Sequence, residues 1–350
     1  MNNPYNLIFG KEPFQVIPRN TQKNEIIDAF LSEPSVQQIY MITGIRGCGK
    51  TVFMTEVSKE IGKEKDWIVV ELNSQQDLMT DLAATLGSEN NLAKMFKSAS
   101  INLSLFGIGL EVKDSVPVSS IQVALEKMLE SLKKHKKKVL ICIDEVTVTT
   151  HMKTFAGAFQ IFVRKDLPIY LLMTGLYENI NILQNEKSLT FLYRAPKIEL
   201  KPLNIGSIME NYKENFNLKP DEAGKMAALT KGYSFAFQVL GYFTFRQGGD
   251  YKKAIPEFRQ YLEDYVYEKV FSEMSAGDRK FVYSLACTEN GKAKDIKTKG
   301  SFSDSEYSVY RDRLIKRGVI NGSEHGFVRF TLPLFDEYVI RCVDFTPITK

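Results

Sequence analysis

At 350 residues the chain exceeds what one hydrophobic core usually reaches, about 250 residues, so two or three domains are expected. Apolar residues at 44% and charged residues at 25% are the balance of an ordinary globular protein, and a net charge of +4 is too mild to imply nucleic acid by itself. The start, MNNPYNLIFGKEPF, has no charged segment leading into an apolar core, and no apolar run approaches the ~18 residues that span a bilayer. Neither export nor membrane insertion is expected, and Cys48, Cys142, Cys287 and Cys342, far apart with no C-x-x-C pair, read as reduced thiols of a cytoplasmic protein.

Residues 1–20 carry Pro4, Pro13 and Pro18 among scattered aromatics and predict an irregular arm lying across the domain that follows. From Thr21 a helical period places Ile26, Ile27, Phe30 and Leu31 on one face until Pro34 ends it. A short buried strand over 39–42 then leads into GIRGCGKT, residues 44–51, and a helix over 52–61. The octet fits G-x-x-x-x-G-K-[ST] without mismatch and lies between strand and helix, as that motif requires. Glycines 44, 47 and 49 let backbone N–H groups close around phosphate oxygens, and the following helix N-terminus adds positive potential. The candidate nucleotide-binding residues are therefore Gly44, Ile45, Arg46, Gly47, Cys48, Gly49, Lys50, Thr51 and Val52. In this pattern Lys50 reaches the β and γ phosphates and the Thr51 hydroxyl ligates Mg²⁺.

A second strand over 67–72 and a helix over 77–86 continue a βαβα order, which predicts a parallel sheet with helices on its faces. Alternating apolar residues in INLSLFGIGLEV, residues 101–112, predict an inserted β-hairpin turning at Phe106-Gly107. After a helix over 119–132, the run KKHKKK is read as a solvated helix end rather than a nucleic-acid patch, since cations there suit the helix dipole. VLICI, residues 139–143, then delivers Asp144 and Glu145, and this strand is expected beside the phosphate-loop strand. With Asp144 lying 93 positions after Thr51 (144 minus 51), Asp144 is the candidate Mg²⁺ holder alongside Thr51, and Glu145 the candidate base for the attacking water. The next strand ends on Thr174, a candidate hydrogen-bond donor to the γ-phosphate or the water, and Arg194 is a candidate for stabilising charge on a neighbouring subunit's nucleotide.

GIRGCGKT, VLICIDEV, LLMTGLYENI and YRAPKIELKPL, in this order, resemble the AAA+ and STAND-type ATPases, and most closely the "archaeal ATPase" branch related to origin-recognition and helicase-loading ATPases. The resemblance runs from about Pro13 to Tyr338. It implies an α/β P-loop NTPase core with a parallel sheet, an all-α lid and a winged-helix domain, with ATP and Mg²⁺ as ligands. It also implies that Arg19 lies near the adenine pocket, that Thr174 is the polar sensor, and that Gly232-Tyr233-Ser234 stands at the lid's glycine-x-proline signature. Here serine replaces the proline. No arginine matches the usual second sensor, since Arg246 comes late in its helix, so slow hydrolysis is expected.

The expected division is 1–203 for the ATPase domain, 204–272 for the helical lid and 273–345 for the winged helix. In the last unit a helix from 303 to 318 precedes a hairpin and is expected to expose Arg311, Arg313, Lys316 and Arg317 toward DNA. Residues 291–329 hold nine Lys or Arg against five Asp or Glu, a local excess of +4. Asp304, Glu306 and Asp312 share the helix and oppose such contact, so a protein partner, a second copy of the chain or an internal lock is an equal alternative to DNA. The functional expectation is a Mg-dependent ATPase that rearranges its domains. A nucleotide-gated switch with little turnover is the alternative.

Overall fold

The computed structural model describes residues 2–8, 10, 12–112 and 117–344, which divide into two compact units. One comprises 20–43 and 50–199, and the other comprises 1–19, 44–49 and 200–350.

The first unit is built on a parallel sheet in which β1 is Ile39–Thr43, β2 Trp67–Asn73, β3 Lys138–Asp144, β4 Ile169–Gly175 and β5 Lys197–Glu199, in the order β2-β3-β4-β1-β5. Continuous apolar runs such as Val139 to Ile143 form central strands because helices cover both faces and leave neither wet. The expectation that β3 lies beside β1 is corrected here: β4 stands between them, pairing Ile42 with Thr174 on one side and Ile143 with Met173 on the other. All these strands run parallel, so the loops after β1, β3 and β4 leave from one edge regardless of the order. The helix Leu78–Ser88 starts where Asp77 accepts from the Met79 amide at 3.2 Å, a side-chain cap on an otherwise unpaired donor.

Residues 101–112 are a second correction. They form no strand; a single 3₁₀ turn, Ser104–Phe106, lies between Leu103 and Gly107, and the Leu103 amide donates to the Leu110 carbonyl at 2.7 Å. Ile101, Leu103, Ile108 and Leu110 are buried in the main apolar cluster of the unit. The alternating apolar side chains insert into the core from a coil instead of from the paired strands of a hairpin. Leu103→Ala should therefore lower unfolding stability by about 2–4 kcal/mol. A loss below about 0.5 kcal/mol in denaturant titration, the size typical of surface changes, would mean that Leu103 is not part of the core. The basic run falls as expected: the helix Ile121–Lys134 ends at His135, and Lys137 pairs with Asp66 at 3.1 Å.

The second unit is mainly helical. Ile205–Phe216, Pro220–Leu229, Ser234–Arg246 and Tyr251–Leu262 follow the last strand, and a π-turn, Glu263–Tyr267, leads into Glu268–Ser272. Ala276–Ala286, Ala293–Lys299 and Asp304–Lys316 come next, then β6 Ile320–Asn321 paired with β7 Arg329–Phe330, and the helix Phe335–Asp344. Ser275 and Ser303 each close a capping box, with Asp278 and Glu306. The N-terminal arm packs on this unit rather than on the sheet. Tyr5 is 2% exposed, stacks on Phe216 at 5.7 Å and donates its hydroxyl to Asn211 at 2.8 Å. A Cβ at Gly241 would lie 2.5 Å from the Tyr5 ring, so the glycine makes room for it.

Candidate functional site

In the sheet unit the site residues gather at the carboxyl edge of the strands. Lys50 and Thr51 open the helix Lys50–Ile61, and the Lys50 side chain is buried. Thr51 Oγ1 donates to Asp144 Oδ2 at 2.7 Å, Thr174 Oγ1 donates to Asp144 Oδ1, and the Glu145 amide donates to Asp144 Oδ1 at 3.0 Å. One carboxylate is thus the hub on which the helix after the phosphate loop and the ends of β3 and β4 converge. Thr174 is fully buried and also accepts from the Glu145 amide at 3.2 Å.

Glu145 itself is exposed and sits at φ +48°, the left-handed region that costs an L-residue roughly 1–2 kcal/mol. Its amide bonds to Asp144 and Thr174 hold it there. Val52 is half-buried in the same helix. Arg194 is exposed at the end of the 3₁₀ segment Lys187–Arg194, beside Tyr193, outside the Asp144 cluster.

The loop residues Gly44–Gly49 belong to the helical unit. Gly47 at φ +76° and Gly49 at φ +93° take conformations that a side chain would strain. Three carbonyls in a row are capped from the start of the helix Ser234–Arg246: Tyr233 Oη donates to the Arg46 carbonyl at 2.7 Å, the Phe235 amide to Gly47 at 3.1 Å, and Ser234 Oγ to Cys48 at 2.9 Å. Arg19, expected near adenine, lies against the same stretch, donating to the carbonyls of Cys48 at 3.3 Å and Lys201 at 2.5 Å. Arg46 pairs with Glu273 at 3.4 Å. Cys48 is buried, and a Cβ at Gly44 would lie 2.5 Å from its sulfur, so a small side chain is required there.

The C-terminal arginines are placed otherwise than expected. Arg313 donates to the buried Asp278 carboxylate at 2.6 and 2.9 Å, Arg317 lies 3.8 Å from the same carboxylate, and Arg311 donates to the Gly322 carbonyl at 2.9 Å. Only Lys316 of the four is fully exposed, while Asp304, Glu306 and Asp312 are exposed on the same helix. Of the expected basic face, Arg313 and Arg317 are drawn toward the buried Asp278 carboxylate, and Arg311 toward the Gly322 carbonyl and Asp312.

Sequence reasoning missed Tyr233 and Phe235 as loop-holding residues, and Asp278 as the arginine partner. The turn KGYS marked where a helix begins, yet nothing local to it encodes which carbonyls its donors meet. Asp278 had one readable signal, its position three residues after Ser275 at a helix start.

Residues 26–173 match the family described as "ATPase domain predominantly from Archaea", and residues 264–339 match a "Domain of unknown function (DUF8462)". No curated protein matches the chain. Among solved structures, the Walker-type ATPase PABY2304 of Pyrococcus abyssi superposes with a TM-score of 0.65 at 16% identity, covering 93% of this chain and 96% of that one. The ORC2 protein of Aeropyrum pernix, in ADPNP-ADP complexes, superposes at 0.60 with 12% identity and 96% of each chain covered. At such identities these likenesses establish the fold. Together with the phosphate-loop sequence and the parallel sheet ending in Asp144, they assign the chain a P-loop ATPase fold, with residues 26–173 similar to the predominantly archaeal ATPase domains.

Proposed function

We propose that the protein binds Mg-ATP at the phosphate loop and hydrolyses it slowly, and that its nucleotide state is read by the lid residues packed on the loop. The observation that carries this is the Asp144 carboxylate, which gathers the Thr51 and Thr174 hydroxyls next to buried Lys50 and exposed Glu145. The structural neighbour solved with ADPNP and ADP supports the choice of an adenine nucleotide.

The donor set fits Mg²⁺: Thr51 Oγ1 and Asp144 are hard oxygen ligands, and among the described residues no group of three His, Cys, Asp or Glu could form an all-protein cage. An ion held by one or two protein oxygens plus substrate phosphates is the usual magnesium arrangement. When bound, Mg²⁺ supplies charge neutralisation for the phosphate oxygens. Lys50 adds a fixed cation, and Thr174 holds Asp144 in orientation. Glu145 orients a water and takes its proton as the water oxygen bonds to the γ-phosphorus and the bond to the bridging oxygen breaks, releasing ADP.

Lys50→Ala should weaken nucleotide binding about 100-fold or more, since a buried cation and its phosphate partner are lost together. Titration of a fluorescent ATP analogue measures it, and unchanged affinity would remove the nucleotide from this loop. For a partner, the exposed carboxylates of Asp304, Glu306 and Asp312 favour a protein surface over duplex DNA, with the C-terminal unit read as a winged helix. Duplex DNA should therefore leave phosphate release unchanged within about twofold at 0.1 M salt, where exposed charges act over ~10 Å. Stimulation beyond that, lost in Lys316→Ala, would reinstate DNA. Arg194 is read as the residue offered to a neighbouring copy, on the strength of its exposure beside Tyr193.

A further inference from the structure

The loop's carbonyl side meets the start of the lid helix. Arg46, Gly47 and Cys48 present successive carbonyls, and Tyr233, Ser234 and Phe235 supply one donor to each. The Phe235 amide is one of the first-turn donors that a helix leaves without an internal partner, so the loop completes the helix as much as the helix holds the loop. Across a planar trans peptide the C=O and the following N–H point opposite ways. Fixing these carbonyls therefore aims the amides of Gly47, Cys48 and Gly49 away from the lid helix. The Cys48 amide also closes a turn on the Ile45 carbonyl at 3.2 Å. Backbone anion sites depend on successive amides sharing a direction.

We infer that Tyr233 and Ser234 are positioning residues of the phosphate loop, whose hydroxyls hold its carbonyl side and thereby set the direction of the amides that meet a nucleotide's phosphates. This rests on the nucleotide reading proposed above. The holding residues are themselves fixed. Gly232, at φ +74°, accepts from the Leu203 amide at 2.7 Å, and a Cβ on it would lie 2.6 Å from the Leu203 carbonyl oxygen. Tyr233 is 4% exposed, and burial raises its phenol well above the ordinary tyrosine value, so it stays a donor at every physiological pH. A Cβ at Gly47 would lie 2.1 Å from the Tyr233 hydroxyl, so glycine is required there by the lid as well as by its dihedral angle. Ser234, the departure from the glycine-x-proline signature, supplies a hydroxyl where proline has none, and Arg19 donates to it at 3.3 Å.

The test compares the full chain with Tyr233→Phe, Ser234→Ala, the double variant and Ser234→Thr, by two readouts. Hydrogen exchange of residues 44–51 without nucleotide should rise about tenfold in the double variant while exchange across 251–262 stays unchanged, showing the lid folded. Affinity for a fluorescent ATP analogue with Mg²⁺ should fall about tenfold, in line with the loss of hydrogen bonds to a buried backbone, and Ser234→Thr should retain the parent value. Unchanged loop exchange, or faster exchange with unchanged affinity, overturns the inference alone. A parent protein that binds no nucleotide while its variants still show faster loop exchange overturns the nucleotide reading and, with it, the positioning role.

Discussion

Glu145→Gln should bind ATP within about threefold of the parent and release phosphate about 100-fold more slowly or worse, the range assigned to a positioned base. The two effects separate because different atoms carry them. The unusual backbone at φ +48° is maintained by the amide of residue 145, which donates to Asp144 at 3.0 Å and to Thr174 at 3.2 Å, and glutamine keeps that amide. The changed group is the exposed carboxylate, and a carboxamide can accept a hydrogen bond from water but cannot take its proton. Glu145→Gly gives a complementary result. Relief of the left-handed strain should raise stability by roughly 1 kcal/mol while turnover is lost, since glycine enters that region freely. Phosphate release under single-turnover conditions, beside a denaturant titration, reads both. Hydrolysis by Glu145→Gln at the parent rate would remove the carboxylate from the chemistry.

What could be read ahead of the structure follows the range of the interactions involved. The phosphate loop, β3 ending on Asp144-Glu145 and the Ser303 cap are local patterns, and each forms where expected. The position of β4 between β1 and β3 requires β1 to pair with a segment more than a hundred residues away, and no local period specifies it. Residues 101–112 failed for a related reason: alternation reports which side chains are buried, and a coil can bury Leu103 and Leu110 as completely as a strand. The arginines of Asp304–Lys316 failed because charge on a helix was equated with charge in water. Nothing in RDRLIKR shows that a carboxylate some 35 positions earlier reaches Arg313.

That carboxylate is a second place where a large effect on stability is expected. Asp278 is 1% exposed; its Oδ1 accepts from Arg313 Nε and Nη2, and its Oδ2 from the hydroxyl and amide of Ser275, the latter at 2.7 and 3.2 Å. Asp278→Ala removes the carboxylate half of the capping box and takes from Arg313 its buried counter-charge. Breaking a buried pair costs about 3–5 kcal/mol; the Arg313 side chain, 41% exposed, can turn into water, so about 2–3 kcal/mol is expected. Asp278→Asn keeps an acceptor for the Ser275 amide and should lose about half as much. The loss should appear as faster hydrogen exchange across Ala276–Ala286 and Asp304–Lys316 with the sheet unit unaffected, because this side chain caps the first helix and bonds Arg313 of the second. A double-mutant cycle with Arg313→Gln should return a coupling of about 1–2 kcal/mol. Additive losses would mean that the arginine is held by its stacking on Tyr310, whose ring centroid lies 5.2 Å away, and not by the carboxylate.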